Sequence, residues 1–255
     1  MSIPHHSRVI DLRGKVALVT GSARRVGRAI ALGLAARGMN IVIHYGSASS
    51  TSDAESAAGE ARALGVEAHI LQADLGDLAQ IAALFEGVRA RFGRLDVLVN
   101  SAATFFTKPI MEVTVDEWQH VLNINLTAPF VCSQHAVTLI RQTAGGGAIV
   151  NIADLSAFRT WKNYPAHSVS KVGIVKLTEL FAASVGPEIR VNCVAPGPVL
   201  RDDGNSPEMW LKIGQRLPLQ TTGDAYDVAE AVAFLASAPF VTGVTLRVDG
   251  GEGLI

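Results

Sequence analysis

A single doubly wound α/β domain is the fold this sequence predicts, with seven parallel strands covered by helices on both faces. Three observations carry the prediction. Seven short strand-like runs are largely apolar along their length, the mark of strands buried on both faces. Segments with helical spacing alternate with them, the order a parallel sheet requires. The 255 residues, 49% apolar and 18% charged, suffice for one large core without disulfides or metals.

The elements follow in order. Residues 15–20 form a β-branched first strand. Residues 26–37 carry Val26, Ile30 and Leu34 at helical spacing. Strand 40–45, an Ala-rich helix 51–64 and strand 66–71 come next. Helix 77–92 gathers Leu78, Ile81, Leu84, Phe85 and Val88 on one side and leads into strand 95–99. One long helix is expected over 114–141, opened by the capping-box pair Thr114 and Glu117. Strand 148–152, helix 165–184 and strand 189–194 precede a Pro/Gly-rich loop at Pro196. Helix 224–237 and strand 244–248 complete the chain. With no linker or repeat, residues 1–255 read as one domain, with a flexible arm over 1–13.

Composition narrows the function classes. A net charge of −1 offers no general attraction to nucleic acid or an acidic membrane. Cys132 and Cys193 form no disulfide framework or zinc motif, and their number fits a reducing, cytoplasmic compartment. The first 15 residues lack an apolar signal segment, and no run approaches the length of a membrane span. His5 and His6 are too few ligands for a metal site, so none is expected.

Ligands of such sheets sit beyond the carboxyl ends of the strands. After the first strand, Gly21 permits a tight turn and Gly27 opens a helix whose free N–H groups suit a pyrophosphate. Alone this is a weak signal for a dinucleotide. The second strand ends His44, Tyr45, Gly46, Ser47, with no acid before Asp53 to take a ribose 2′-hydroxyl. Arg24 and Arg25 instead stand in the loop. That favours the 2′-phosphate of NADP(H); the competing reading has both arginines merely facing solvent.

The motifs TGSARRVG (20–27), QADL (72–75), NSAA (100–103), NINLTAPF (123–130), NIAD (151–154), HSVSK (167–171) and RVNCVAPGPV (190–199) follow one another in family order. The chain resembles the short-chain dehydrogenase/reductase family along nearly its whole length, which implies a Rossmann-like fold. The resemblance makes Gly21, Arg24, Arg25, Val26, Gly27, His44, Tyr45, Ser47, Asp74, Leu75, Asn100 and Ala102 cofactor residues. Asp74 would contact adenine and Asn100 anchor the fourth strand. Lys171 would reach the nicotinamide ribose, with Pro196, Gly197 and Val199 beside the nicotinamide. Asn125 would hold a relay water. Within the family the chain looks most like the pteridine reductase branch. Arg25 stands at the middle glycine, Asp154 at the catalytic serine, and Phe105 where an aromatic ring stacks on a flat substrate. Asp154 as a turn cap and Phe105 as a core residue are the plainer alternatives.

One departure matters. The family's proton-donating Tyr, four residues before the Lys, is here His167; the nearest Tyr is Tyr164. Residues i and i+4 share a helix face, so His167 and Lys171 would both face the cofactor. An ionised Asp154 beside His167 would hold a proton there for the reduced substrate. The catalytic set is therefore Asn125, Asp154, His167 and Lys171, with Arg25, Phe105, Asp154 and Trp210 toward substrate. The expected activity is NADPH-dependent reduction of a planar pterin-like small molecule. A catalytically impaired NADP-binding sensor or partner module and a ketone reductase are the alternatives. Residues 200–217 suit a substrate lid. Family analogy implies a homotetramer or homodimer.

Overall fold

β1 (Val16–Val19) is buried along its whole length in the interior of a parallel sheet. The computed structural model describes residues 9–255 apart from 202, 203 and 205. From β1 the chain passes through α1 (Arg25–Ala35), β2 (Asn40–Tyr45), α2 (Thr51–Ala63) and β3 (Ala68–Gln72), building one edge of the sheet. After α3 (Leu78–Phe92) it returns to the other side of β1 as β4 (Val97–Asn100). Then follow α4 (Val115–Leu122), α5 (Ala128–Thr143), β5 (Gly147–Ile152), α6 (Pro165–Val185) and β6 (Ile189–Pro196). Helices α7 (Pro207–Arg216) and α8 (Ala225–Ser237) precede β7 (Thr245–Val248). The strand order is β3-β2-β1-β4-β5-β6-β7, all parallel, so the expected seven-stranded Rossmann-like fold is present. The winding reverses between β1 and β4, which opens a crevice at their carboxyl ends.

Alternation along each strand feeds two cores. Ala17, Val19, Ile41, Ile43 and Val99 face α1, α2 and α8. Val16, Leu18, Val42, Leu98 and Ile149 face α3 and α5. Gly33 of α1 lies so close to α8 that an added Cβ would come within 2.8 Å of the Ala229 Cβ. That contact fixes the two helices side by side.

The long helix expected over 114–141 is present as one unbroken helical run over 115–143. The Thr114–Glu117 capping box is present, but residues Asn123–Thr127 form a wide π turn between α4 and α5. The turn is seated on α6, where Leu126 occupies the space a side chain at Gly173 would need. The arm expected over 1–13 also needs correction. Residues 1–8, with His5 and His6, lie outside the described residues. Beyond them the chain is docked: Ile10 N–H donates to Ser237 O at 2.9 Å and Leu12 is buried.

Candidate active site

The loop after β1 is held from below. Ser22 Oγ donates to Val19 O at 2.7 Å, and Thr20 Oγ accepts from the N–H groups of Ser101 and Ala102 at 2.9 and 3.1 Å. Gly21 N–H donates to His44 Nδ1 at 3.0 Å, while His44 Nε2 meets Ala73 O at 3.0 Å. Nδ1 must accept, so the hydrogen is on Nε2. His44 was expected among the cofactor residues. Instead both its nitrogens are committed to backbone and the ring is buried, making it a support for the loop. Burial pushes its pKa down to about 4, outweighing the bond to Ala73.

The glycines leave no spare room. A Cβ at Gly21 would lie 2.8 Å from the Ala102 Cα, and one at Gly27 2.4 Å from the Gly21 carbonyl oxygen. Arg25 adopts φ +55, a left-handed conformation that disfavours any residue with a Cβ. The N-cap of α1, Arg24, makes no side-chain cap and the first turn holds no acid. The cap thus offers the first turn of α1 no side-chain acceptor, and a helix end of this kind fits an anionic pyrophosphate.

At the N-cap of α1, Arg24 does not stand alone. Its Nε donates to Asp53 in the first turn of α2, and its terminal nitrogen reaches Ser49 O at 3.4 Å. The Ser47 and Ser49 hydroxyls are 2.8 Å apart beside it. Asp53 was passed over in the sequence because it lies well beyond the end of β2; only the fold brings it back. Tyr45 is buried, whereas Val26 is half-buried. Asp74 is exposed and accepts from Gly76 N–H at 2.8 Å, and Leu75 is buried. Asn100 donates to Asn151 Oδ1 at 2.8 Å and to Ser133 Oγ at 3.2 Å, anchoring β4.

The third group assembles where β5 and α6 meet. His167 Nε2 lies 2.6 Å from Asp154 Oδ2. The other oxygen of Asp154 accepts from Ser156 N–H and Oγ at 2.8 and 2.5 Å, so the carboxylate also caps the turn after β5. Burial would raise the Asp154 carboxyl. The hydrogen bond from His167 and the charge of Lys171 outweigh it, and the group stays below the ordinary carboxylate range. Lys171 is fully enclosed and donates to Ile152 O at 2.9 Å; burial pushes its ammonium down, opposed by Asp154.

Asn125, presented by the π turn, exchanges two 2.8 Å bonds with the backbone of Thr104, one as donor and one as acceptor. That fixes the orientation of its amide. The Nδ2 group then points at His167 Nδ1, 3.4 Å away, and at Ser170 Oγ, 3.2 Å away. Facing a donor at Nδ1, the neutral ring keeps its hydrogen on Nε2, against Asp154.

Aromatic rings wall this pair. Phe105 is 56% exposed, so it is not a core residue, and its ring is edge-on to His167 at 5.7 Å. Trp161 lies parallel to the imidazole at 6.4 Å, and Tyr164, the N-cap of α6, touches both Phe105 and Trp161. Trp161 was missed because nothing in its loop sequence marks it. On the far side, Gly197 N–H donates to Val248 O and Val199 N–H to Gly197 O, both at 2.9 Å. Pro196 ends the buried strand β6. In the expected lid, 202, 203 and 205 lie outside the described residues. Helix α7 is amphipathic and capped by Ser206, but among the described residues Trp210 joins none of the ring contacts around His167.

The reversal point, the bare helix end and the acid–imidazole–lysine group together define a doubly wound domain of the nucleotide-binding type. The family described as Enoyl-(Acyl carrier protein) reductase matches residues 21–252. The 3-oxoacyl-(acyl-carrier-protein) reductase FabG of Staphylococcus aureus is 37% identical over 243 residues, 93% of this chain and 97% of that protein. The 3beta-hydroxysteroid dehydrogenase 1 of Eggerthella lenta is 35% identical over 254 residues, 96% of this chain and 95% of that one. Among solved structures, a blue fluorescent protein from a metagenomic library in complex with NADPH superposes with a TM-score of 0.86. It is 38% identical and the match covers 94% of this chain and 98% of that chain. The chain belongs to the short-chain dehydrogenase/reductase family.

Proposed function

We propose that the protein is an NADPH-dependent carbonyl reductase whose proton comes from the Asp154–His167 pair. The observation that carries this reading is the 2.6 Å contact between His167 Nε2 and Asp154 Oδ2, four residues from the buried Lys171. The NADPH-bound neighbour and the ketone chemistry in the relatives' names support it. In this reading the α1 end holds the pyrophosphate, and NADPH supplies the hydride. Asp74, Leu75, Asn100, Ala102, Pro196, Gly197 and Val199 line its length.

Proton balance sets the working state. With Asp154 ionised and His167 neutral, the only ring hydrogen is on Nε2, and giving it up would leave an imidazolate. The pair therefore acts when it holds one further proton, delivered through the part-exposed Asp154 carboxyl because Nδ1 faces the Asn125 amide donor. Delivering that proton to the reduced oxygen returns a neutral ring beside the carboxylate. Lys171 favours the carboxylate, Asn125 holds the ring in place, and the part-exposed Asp154 side chain admits the replacement proton from water.

A second reading rests on Phe105. A half-exposed ring beside His167 suits stacking on a flat pterin-like substrate. NADPH oxidation would be followed with aryl ketones, 3-oxoacyl thioesters and dihydropterins from acid to neutral pH. The expected outcome is ketone turnover that declines as pH rises and the pair loses its extra proton. H167F should lower kcat about 100-fold or more, the range of a lost general acid. Turnover of dihydropterins alone would select the second reading. NADPH binding without turnover of any substrate would leave a cofactor-binding sensor or partner module.

A further inference from the structure

We propose that Asp53 sets how strongly the site prefers a 2′-phosphate, by competing with it for the Arg24 guanidinium; this rests on the reading that the chain binds NADP(H). Arg24 stands at the N-cap of α1 with extended backbone, and its side chain crosses to α2, where Nε donates to Asp53. Arg28, one turn further along α1, is committed in the same way, to Ser56 Oγ at 2.8 Å and Glu60 at 2.7 Å. The cation read in the sequence as a phosphate ligand is thus already holding a carboxylate.

A guanidinium offers its donors in a fixed planar fork that a carboxylate and a phosphate use in the same manner. A 2′-phosphate brought to Arg24 meets the like charge of Asp53 and must displace it or share the fork. A ribose 2′-hydroxyl carries no charge and can donate to a carboxylate, so a cofactor without the phosphate meets no such penalty. The paired Ser47 and Ser49 hydroxyls, 2.8 Å apart, add neutral donors usable by either. The pair therefore tempers the preference for NADP(H) instead of enforcing it.

The experiment titrates the full-length protein with 2′,5′-ADP and 5′-ADP by calorimetry, so no turnover is needed. D53N should bind 2′,5′-ADP about three- to fivefold more tightly, the scale of one exposed ion pair, with 5′-ADP changed less than about twofold. R24A should weaken 2′,5′-ADP about tenfold and remove the discrimination. Unchanged or weaker 2′,5′-ADP binding by D53N, with R24A behaving as stated, overturns the competition while leaving the cofactor reading intact. Failure of the wild-type protein to bind either nucleotide overturns both. D53S, with the thermal transition of each variant as a check on folding, separates loss of charge from an effect of the amide.

Discussion

Helices α1 and α8 lie side by side, locked by Gly33 against Ala229, yet their N-termini are finished in opposite ways. The α8 end is sealed by the chain itself. Asp224 accepts from Tyr226 N–H, and Asp227 reaches back to the Asp224 N–H at 2.7 Å. The α1 end has neither a capping side chain nor an acid in its first turn. A sealed end needs nothing from outside; an unsealed one, at the reversal of the sheet, has donors left for an anion. The same physical rule, applied twice within one interface, gives one helix end closed by its own side chains and one without them.

The contrast can be broken most severely at Gly27. In G27V the side chain would start 2.4 Å from the Gly21 carbonyl oxygen, so the loop must move. NADPH affinity, read by fluorescence titration, should fall about 100-fold or more; at 1.4 kcal/mol per decade that is about 3 kcal/mol.

A similar energy is at stake at His44, this time in stability. The ring is neutral in the fold and its pKa is depressed to about 4, while the unfolded chain takes up the proton near 6.5. The contribution is fully present above about 6.5 and is lost as pH falls toward about 4; a shift of this size corresponds to about 3 kcal/mol. The thermal transition should decline across that window, and H44Q, without a titrating ring, should flatten the decline. An imidazolium would also aim an N–H at the Gly21 N–H, so NADPH binding should weaken over the same range. The smallest effect is at the sealed end. D224A should cost about 1 kcal/mol of stability in denaturant unfolding, as lost N-caps do, and leave NADPH affinity unchanged.

Much of this contrast was legible in the chain. The strand runs, the glycine turn and the 13-residue spacing from Asp154 to His167 are local or motif-bound, and the structure places that pair in contact. What escaped depends on folding back. Asp53 reaches Arg24 across 29 residues, so a scan confined to the end of β2 finds no acid. His44 carries the right identity for a polar contact, but its ring is taken up by the backbone of Gly21 and Ala73, partners that only the folded sheet brings together. The π turn inside the long helix was hidden because it preserves the apolar spacing on either side.

That turn has a consequence for how the chain tolerates change in length. Successive residues of an α-helix are rotated by about 100°, so one extra residue taken up in a wide turn resets the phase of all that follows. Here the reset lets α4 and α5 each bury their own apolar stripe while Asn125, between them, faces inward to Thr104, Ser170 and His167. The segment 123–127 works as a vernier. Asn125 and Leu126 tie its side chains to their neighbours, and its count of residues is tied as firmly, because a single deletion would bring the two helices into one phase and swing the amide off the imidazole.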